Sequence, residues 1–114
     1  MYNQRDVVLI PMPFSDLSSR QNRPVVILSN DLHNQKSRDI VVAGATSVLK
    51  DAPYSVLLEN DSMEEGKLPL PSRIKCDKIC SLESKIVVKK FGRIKKEKFD
   101  EIKNQIIKLI SEKQ

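Results

Sequence analysis

Residues 11–28 read PMPFSDLSSRQNRPVVIL: prolines around a polar stretch, then an Arg-Pro pair that opens four consecutive aliphatic residues. Just upstream, Val7, Val8, Leu9 and Ile10 form an uninterrupted apolar run. The two runs predict a strand over Asp6–Pro11 and a second over Val25–Leu28, joined by a loop across residues 12–22. Arg23 then stands at the mouth of an apolar strand, where a guanidinium cannot be buried cheaply. It either snorkels to water or pairs with a carboxylate such as Asp39, or it is kept there for an anion that arrives from outside.

Working outward, Ile40–Ala45 predicts a third strand, with Gly44 marking a bulge or a close backbone approach. Ser55–Glu59 predicts a fourth. The chain turns around Gly66, and Leu68-Pro69-Leu70-Pro71 must be extended and non-helical. Ile74–Cys80 and Ile86–Ile94 are two further strand candidates. The period then changes: Phe99, Ile102, Ile106, Leu109 and Ile110 fall on one stripe of an amphipathic helix. Short strands with such short connections cannot be mainly parallel, because parallel crossovers need about a dozen residues. The expected fold is α+β and mainly β, a small barrel closed by a C-terminal helix, with residues 1–114 forming one domain.

Composition narrows the chemistry. The 114 residues are 39% hydrophobic but only 4% aromatic, with no tryptophan. Val, Ile and Leu must therefore build the core, and a broad aromatic platform for stacking bases is disfavoured. The formal net charge is +5, which permits a polyanionic partner. From Lys89 onward nine basic residues face four acidic ones, so the tail holds the whole excess. The two cysteines, Cys76 and Cys80, suit a reducing compartment; on one face of a strand they would sit roughly 13 Å apart, too far to bridge. The single His33 falls in Asn30–Arg38, which reads as a polar loop, without a second histidine. No nucleotide-binding loop or serine-nucleophile motif occurs, and only three glycines are present. The expectation is chemistry without cofactor, metal or histidine, in a cytoplasmic protein with no apolar run long enough to cross a membrane.

What remains is Arg23 at the head of the second strand and Thr46-Ser47 at the tail of the third. If these strands are antiparallel neighbours, the groups meet at one rim, overhung by Ser15, Asp16, Ser18 and Arg20. A fixed cation with hydroxyl donors suits a phosphodiester. Plain strand-end capping by Thr46 and Ser47 stands as the competing explanation.

Taken in order, RDVVLIPMPFSD, RPVVILSND, AGATSV, LPLPSRIKCDKI and FGRI resemble the MazF/PemK-like toxins of type II toxin–antitoxin systems. The resemblance implies an SH3-like barrel that forms a homodimer and acts as a metal-independent, sequence-specific endoribonuclease on single-stranded mRNA. It implies catalytic roles for Arg23 and Thr46, and an RNA groove shaped by residues 12–22. Phe14, Ser15, Asp16, Ser18 and Arg20 of that loop, with Ser47, would bind substrate. Attack by the 2′-OH would leave a 2′,3′-cyclic phosphate and a 5′-OH. A cognate antitoxin would block the groove with an acidic disordered tail. Arg5 and Ala45 depart from the family pattern, which usually has glycine and a bulky aliphatic residue there. Two other readings share the architecture: a gyrase-poisoning toxin of the CcdB type without nuclease activity, and a non-catalytic SH3-like RNA-binding module using Lys95, Lys96 and Lys98 of the basic tail.

Overall fold

The computed structural model describes residues 1–11 and 22–112. Seven strands form one antiparallel sheet that curls into a half-barrel. They are β1 (Asp6–Pro11), β2 (Asn22–Ile27), β3 (Asp39–Thr46), β4 (Ser55–Leu58), β5 (Met63–Gly66), β6 (Ser72–Glu83) and β7 (Lys89–Ile94), in the spatial order β4-β6-β3-β2-β1-β7-β5. Among the described residues two α-helices complete it, α1 (Asp31–Lys36) and α2 (Lys96–Ile110).

Alternation of side chains along each strand splits the aliphatic residues between the two faces of the sheet. Val7, Val26, Ala43, Ala45, Val56 and Ile74 point into one cluster, which Phe99 and Ile102 of α2 complete. Val8, Ile10, Val25, Ile27, Ile40 and Val42 form the second cluster on the opposite face, edged by Tyr2, Cys80, Leu82, Ile86 and Val87. The unbroken apolar runs of β1 and β2 are thus explained: these central strands are covered on both sides. Asp6, fully buried, ties β1 to β7 by accepting from Arg93 Nε at 3.3 Å and pairing with Lys90 Nζ at 3.4 Å.

Several expectations are corrected. The polar stretch around His33 is a short helix, because the Asn30 side chain accepts from the His33 N–H and caps it. β5 is an additional strand, invisible to hydrophobic patterning because its sequence is MEEG. It closes tightly on β7: a Cβ on Gly92 would lie 2.0 Å from the Glu65 carbonyl oxygen. The two cysteines do not share a face. Cys76 lies in the first cluster and Cys80 against the second, since β6 carries an irregularity between them.

That irregularity is a step in register. β6 pairs Ile79 with Ala43 but Lys75 with Gly44, so residues 76–78 are extra on the β6 side. Gly44 does mark this break in the ladder, in keeping with its place in the sequence. Beyond the step, Ser72–Lys75 pair with β4, and Arg73–Lys75 pair with β3 as well. Arg5 adopts φ 78°. Its own N–H donates to the Ile27 carbonyl at 2.9 Å and its side chain reaches the Ile94 carbonyl and Glu64, so surrounding bonds hold it in the left-handed region.

Candidate functional site

Arg23 is the second residue of β2 and its Cα pairs with Ile10 of β1. On the other side, the register sets Val25 against Gly44; two residues further along both strands, Arg23 falls beside Thr46. Thr46 in turn pairs with Arg73 of β6. Three neighbouring strands therefore present Arg23, Thr46 and Arg73 at one rung. Because side chains repeat every second residue, Arg23 follows the Val25 side of β2 and Thr46 the Gly44 side of β3.

These residues line an open cleft of about 420 Å³, shared with Gly44, Ala45, Val48, Lys50, Ala52, Lys75 and Lys78. Among the described residues, five of the ten that line the cleft are cations and none is acidic, so it concentrates positive potential between low-dielectric walls. Gly44, lacking a side chain, keeps the floor between Arg23 and Lys75 low.

Arg23 is half-buried and its Nε is a buried donor without a hydrogen-bond partner. Asp39, weighed as its counter-ion, begins β3 at the far end from Thr46, and no ion pair joins Arg23 to a carboxylate among the described residues. A buried donor left unmade costs about 1–3 kcal/mol, so Nε stands ready for an acceptor that arrives from outside. Thr46 Oγ1 accepts from the Val48 N–H at 3.2 Å. That bond occupies the oxygen and leaves the hydroxyl hydrogen to be donated elsewhere.

Arg73 is buried, and three acceptors at positions 49, 51 and 55 brace it. Nε donates to the Leu49 carbonyl at 3.2 Å, and Nη1 donates to Ser55 Oγ at 3.0 Å and to Asp51 at 3.3 Å. Patterning could have found Arg73 and Lys75: Arg73-Ile74-Lys75-Cys76 alternates charged and apolar, which puts both cations on one face. Lys78 arrives only through the three-residue step. Among the described residues the cleft's charge thus comes from β2, the β3–β4 connection and β6, and none of the basic tail lines it.

Among the other expected site residues, Ser47 is exposed and does not line the cleft. Phe14, Ser15, Asp16, Ser18 and Arg20 lie outside the described residues. Among the described residues no group of three or more His, Cys, Asp or Glu side chains could hold a metal ion. Burial first, and the Asp77 charge second, push the Cys76 thiol up to about 11, so it is a poor nucleophile. No helix among the described residues is long and apolar enough to cross a membrane.

Comparison with known proteins bears on the fold. The fold is similar to that of an endoribonuclease in complex with its cognate antitoxin from a mycobacterial species, at 17% identity and a TM-score of 0.76, covering 94% of this chain and 92% of that one. It is similar to MazF from Deinococcus radiodurans at 17% identity and a TM-score of 0.76, covering 96% of each chain. Mycobacterium tuberculosis toxin MazF-mt6 matches at 17% identity and a TM-score of 0.72, covering 90% of this chain and 93% of that one. No curated protein matches the chain in sequence. A family model, described as the PemK-like, MazF-like toxin of type II toxin–antitoxin systems, matches residues 3–110. The chain therefore belongs to the PemK-like, MazF-like toxin family of type II toxin–antitoxin systems.

Proposed function

We propose that the chain is a metal-independent endoribonuclease that cuts single-stranded mRNA at preferred sequences, with Arg23 and Thr46 as its catalytic residues. The observation that carries this reading is the unpartnered Arg23 Nε, buried beside Thr46 in a cleft lined by cations and, among the described residues, by no carboxylate. RNA brings its own nucleophile. The 2′-oxygen attacks the adjacent phosphorus and gives up its proton, and the bond from phosphorus to the 5′-oxygen breaks. The 5′-oxygen takes a proton, leaving a 2′,3′-cyclic phosphate and a 5′-OH.

Negative charge builds on the non-bridging oxygens during that step. Arg23 stabilises it with a fork of donors that need no reorganisation, an effect typically worth about 3–4 kcal/mol. Its charge stabilisation outweighs any role as a base, since an arginine keeps its proton near neutrality. Thr46, its oxygen fixed by Val48, donates its hydroxyl hydrogen to a phosphate oxygen or to the departing 5′-oxygen. The reading extends to a homodimer acting in the cytoplasm as a single-domain toxin. Its partner is a cognate antitoxin, a reading supported by an endoribonuclease of similar fold that is in complex with its cognate antitoxin; an acidic tail on that partner would suit the cationic cleft.

The binding-only reading through Lys95, Lys96 and Lys98 gains no support, since none of them lines the cleft. Purified protein is incubated with end-labelled RNA and the product termini are analysed. Cleavage is expected to persist in EDTA, to leave cyclic phosphate and 5′-OH ends, and to vanish in Arg23→Ala. Magnesium-dependent cleavage, 5′-phosphate ends, or full activity in Arg23→Ala would each refute the assignment.

A further inference from the structure

Arg73 presents a question that the proposed reaction leaves open. It is 8% exposed, and its ion-pair partner Asp51 has a side chain 92% exposed. Water screens such a pair, which contributes at most about 1 kcal/mol. The remaining acceptors, the Leu49 carbonyl and Ser55 Oγ, are neutral. A positive charge withdrawn from water is thus poorly compensated, on a residue that lines the cleft and stands opposite Thr46. A brace for the β3–β4 connection needs donors but no charge.

We propose that Arg73 is a second anion-binding residue, its guanidinium taking the RNA phosphate next to the one held by Arg23 and Thr46. The inference rests on the ribonuclease reading and adds a subsite to it. Arg23 and Arg73 occupy the two strands that flank β3, so their backbones lie two strand spacings apart, about 10 Å. That separation fits two successive phosphates of one strand better than a single phosphate gripped from both sides. Bonds from Nε and Nη1 to the 49–55 segment fix the plane of the guanidinium before substrate arrives, which lowers the ordering cost of binding. Lys75, two residues on along the same face of β6, extends the positive track.

Binding of a short 2′-O-methyl RNA of randomised sequence, which lacks the attacking hydroxyl, is measured across a salt series. Each phosphate contact on a single strand adds about 0.7 to the slope of log affinity against log salt. Arg73→Gln is expected to lower the slope by that amount, so that a fourfold rise in salt weakens the wild type about 2.6-fold more than the variant. Arg73→Lys, which keeps the charge, is expected to restore the slope. An unchanged slope in Arg73→Gln makes Arg73 a structural brace and overturns the subsite alone. Failure of the wild type to bind RNA overturns the ribonuclease reading and this inference together. Should Arg73→Gln fail to fold, Asp51→Asn decides: freeing Arg73 from its counter-ion is expected to tighten binding at constant slope, and unchanged or weaker binding would refute the subsite.

Discussion

Arg23→Met is expected to make the protein more stable while destroying its activity. Methionine keeps the unbranched apolar stem and removes the guanidinium, whose buried Nε has no hydrogen-bond partner. An unmade buried donor costs about 1–3 kcal/mol; Arg23 is only half-buried, so the lower end applies. Relief of repulsion from Lys50, Arg73, Lys75 and Lys78, which share the cleft, has the same sign. A net gain of about 1 kcal/mol raises the melting temperature by about 4 °C for a chain of this size. RNA cleavage, in contrast, should fall by about two to three orders of magnitude, the usual effect of deleting one preorganised donor to a developing oxyanion. Calorimetry and single-turnover cleavage on the same preparations give both numbers. A variant that melts below the wild type would mean that Arg23 carries structural bonds. It would remove the argument that its unpartnered Nε serves an incoming phosphate.

The remaining predictions concern the frame around the cleft. At position 5, held at φ 78°, Arg5→Gly should be about 1–2 kcal/mol more stable than Arg5→Ala; chemical denaturation reads the order, and equal stabilities would refute the claim of strain. Gly92→Ala should cost roughly 2–4 kcal/mol, because its new methyl meets the Glu65 carbonyl at 2.0 Å; a stable variant would show that β5 can detach from β7 cheaply. Cys76 keeps its proton up to about 11 when folded, against 9.0 as its ordinary value. The folded state therefore binds that proton more tightly, and its contribution is present below pH 9 and lost as pH rises towards 11. Wild type should lose about 2–3 kcal/mol more than Cys76→Ala across that window, as measured by urea unfolding at fixed pH.

How far these features can be read from sequence depends on how local their causes are. β1 is legible at both of its ends because an unbroken apolar run between polar residues is a signal contained in six residues. Arg23 and Thr46 come together under one assumption, that consecutive strands pair antiparallel, and the ladder of β2 on β3 satisfies it. α1 escapes patterning because a six-residue helix rests on one cap, Asn30, rather than on an apolar stripe. β5 escapes it because an edge strand spelled MEEG carries no alternation. The charge tally points at the tail, whereas the cations that line the cleft sit mainly on strands whose faces depend on register. Lys78 shows why: its place follows from a mismatch between two strands, which neither strand announces alone.

That mismatch on β6 sets a parity rule for the chain. The step of three residues between the Gly44–Lys75 and Ala43–Ile79 pairs is odd, so it inverts which side chains face inward on either side of it. Losing or gaining a single residue at 76–78 would turn Arg73 and Lys75 towards the oily interior and Ile74 out to water, or invert Cys80 and Leu82 instead. Length changes of two would preserve the arrangement. The segment can therefore drift freely in composition at its exposed positions, but only in even increments of length.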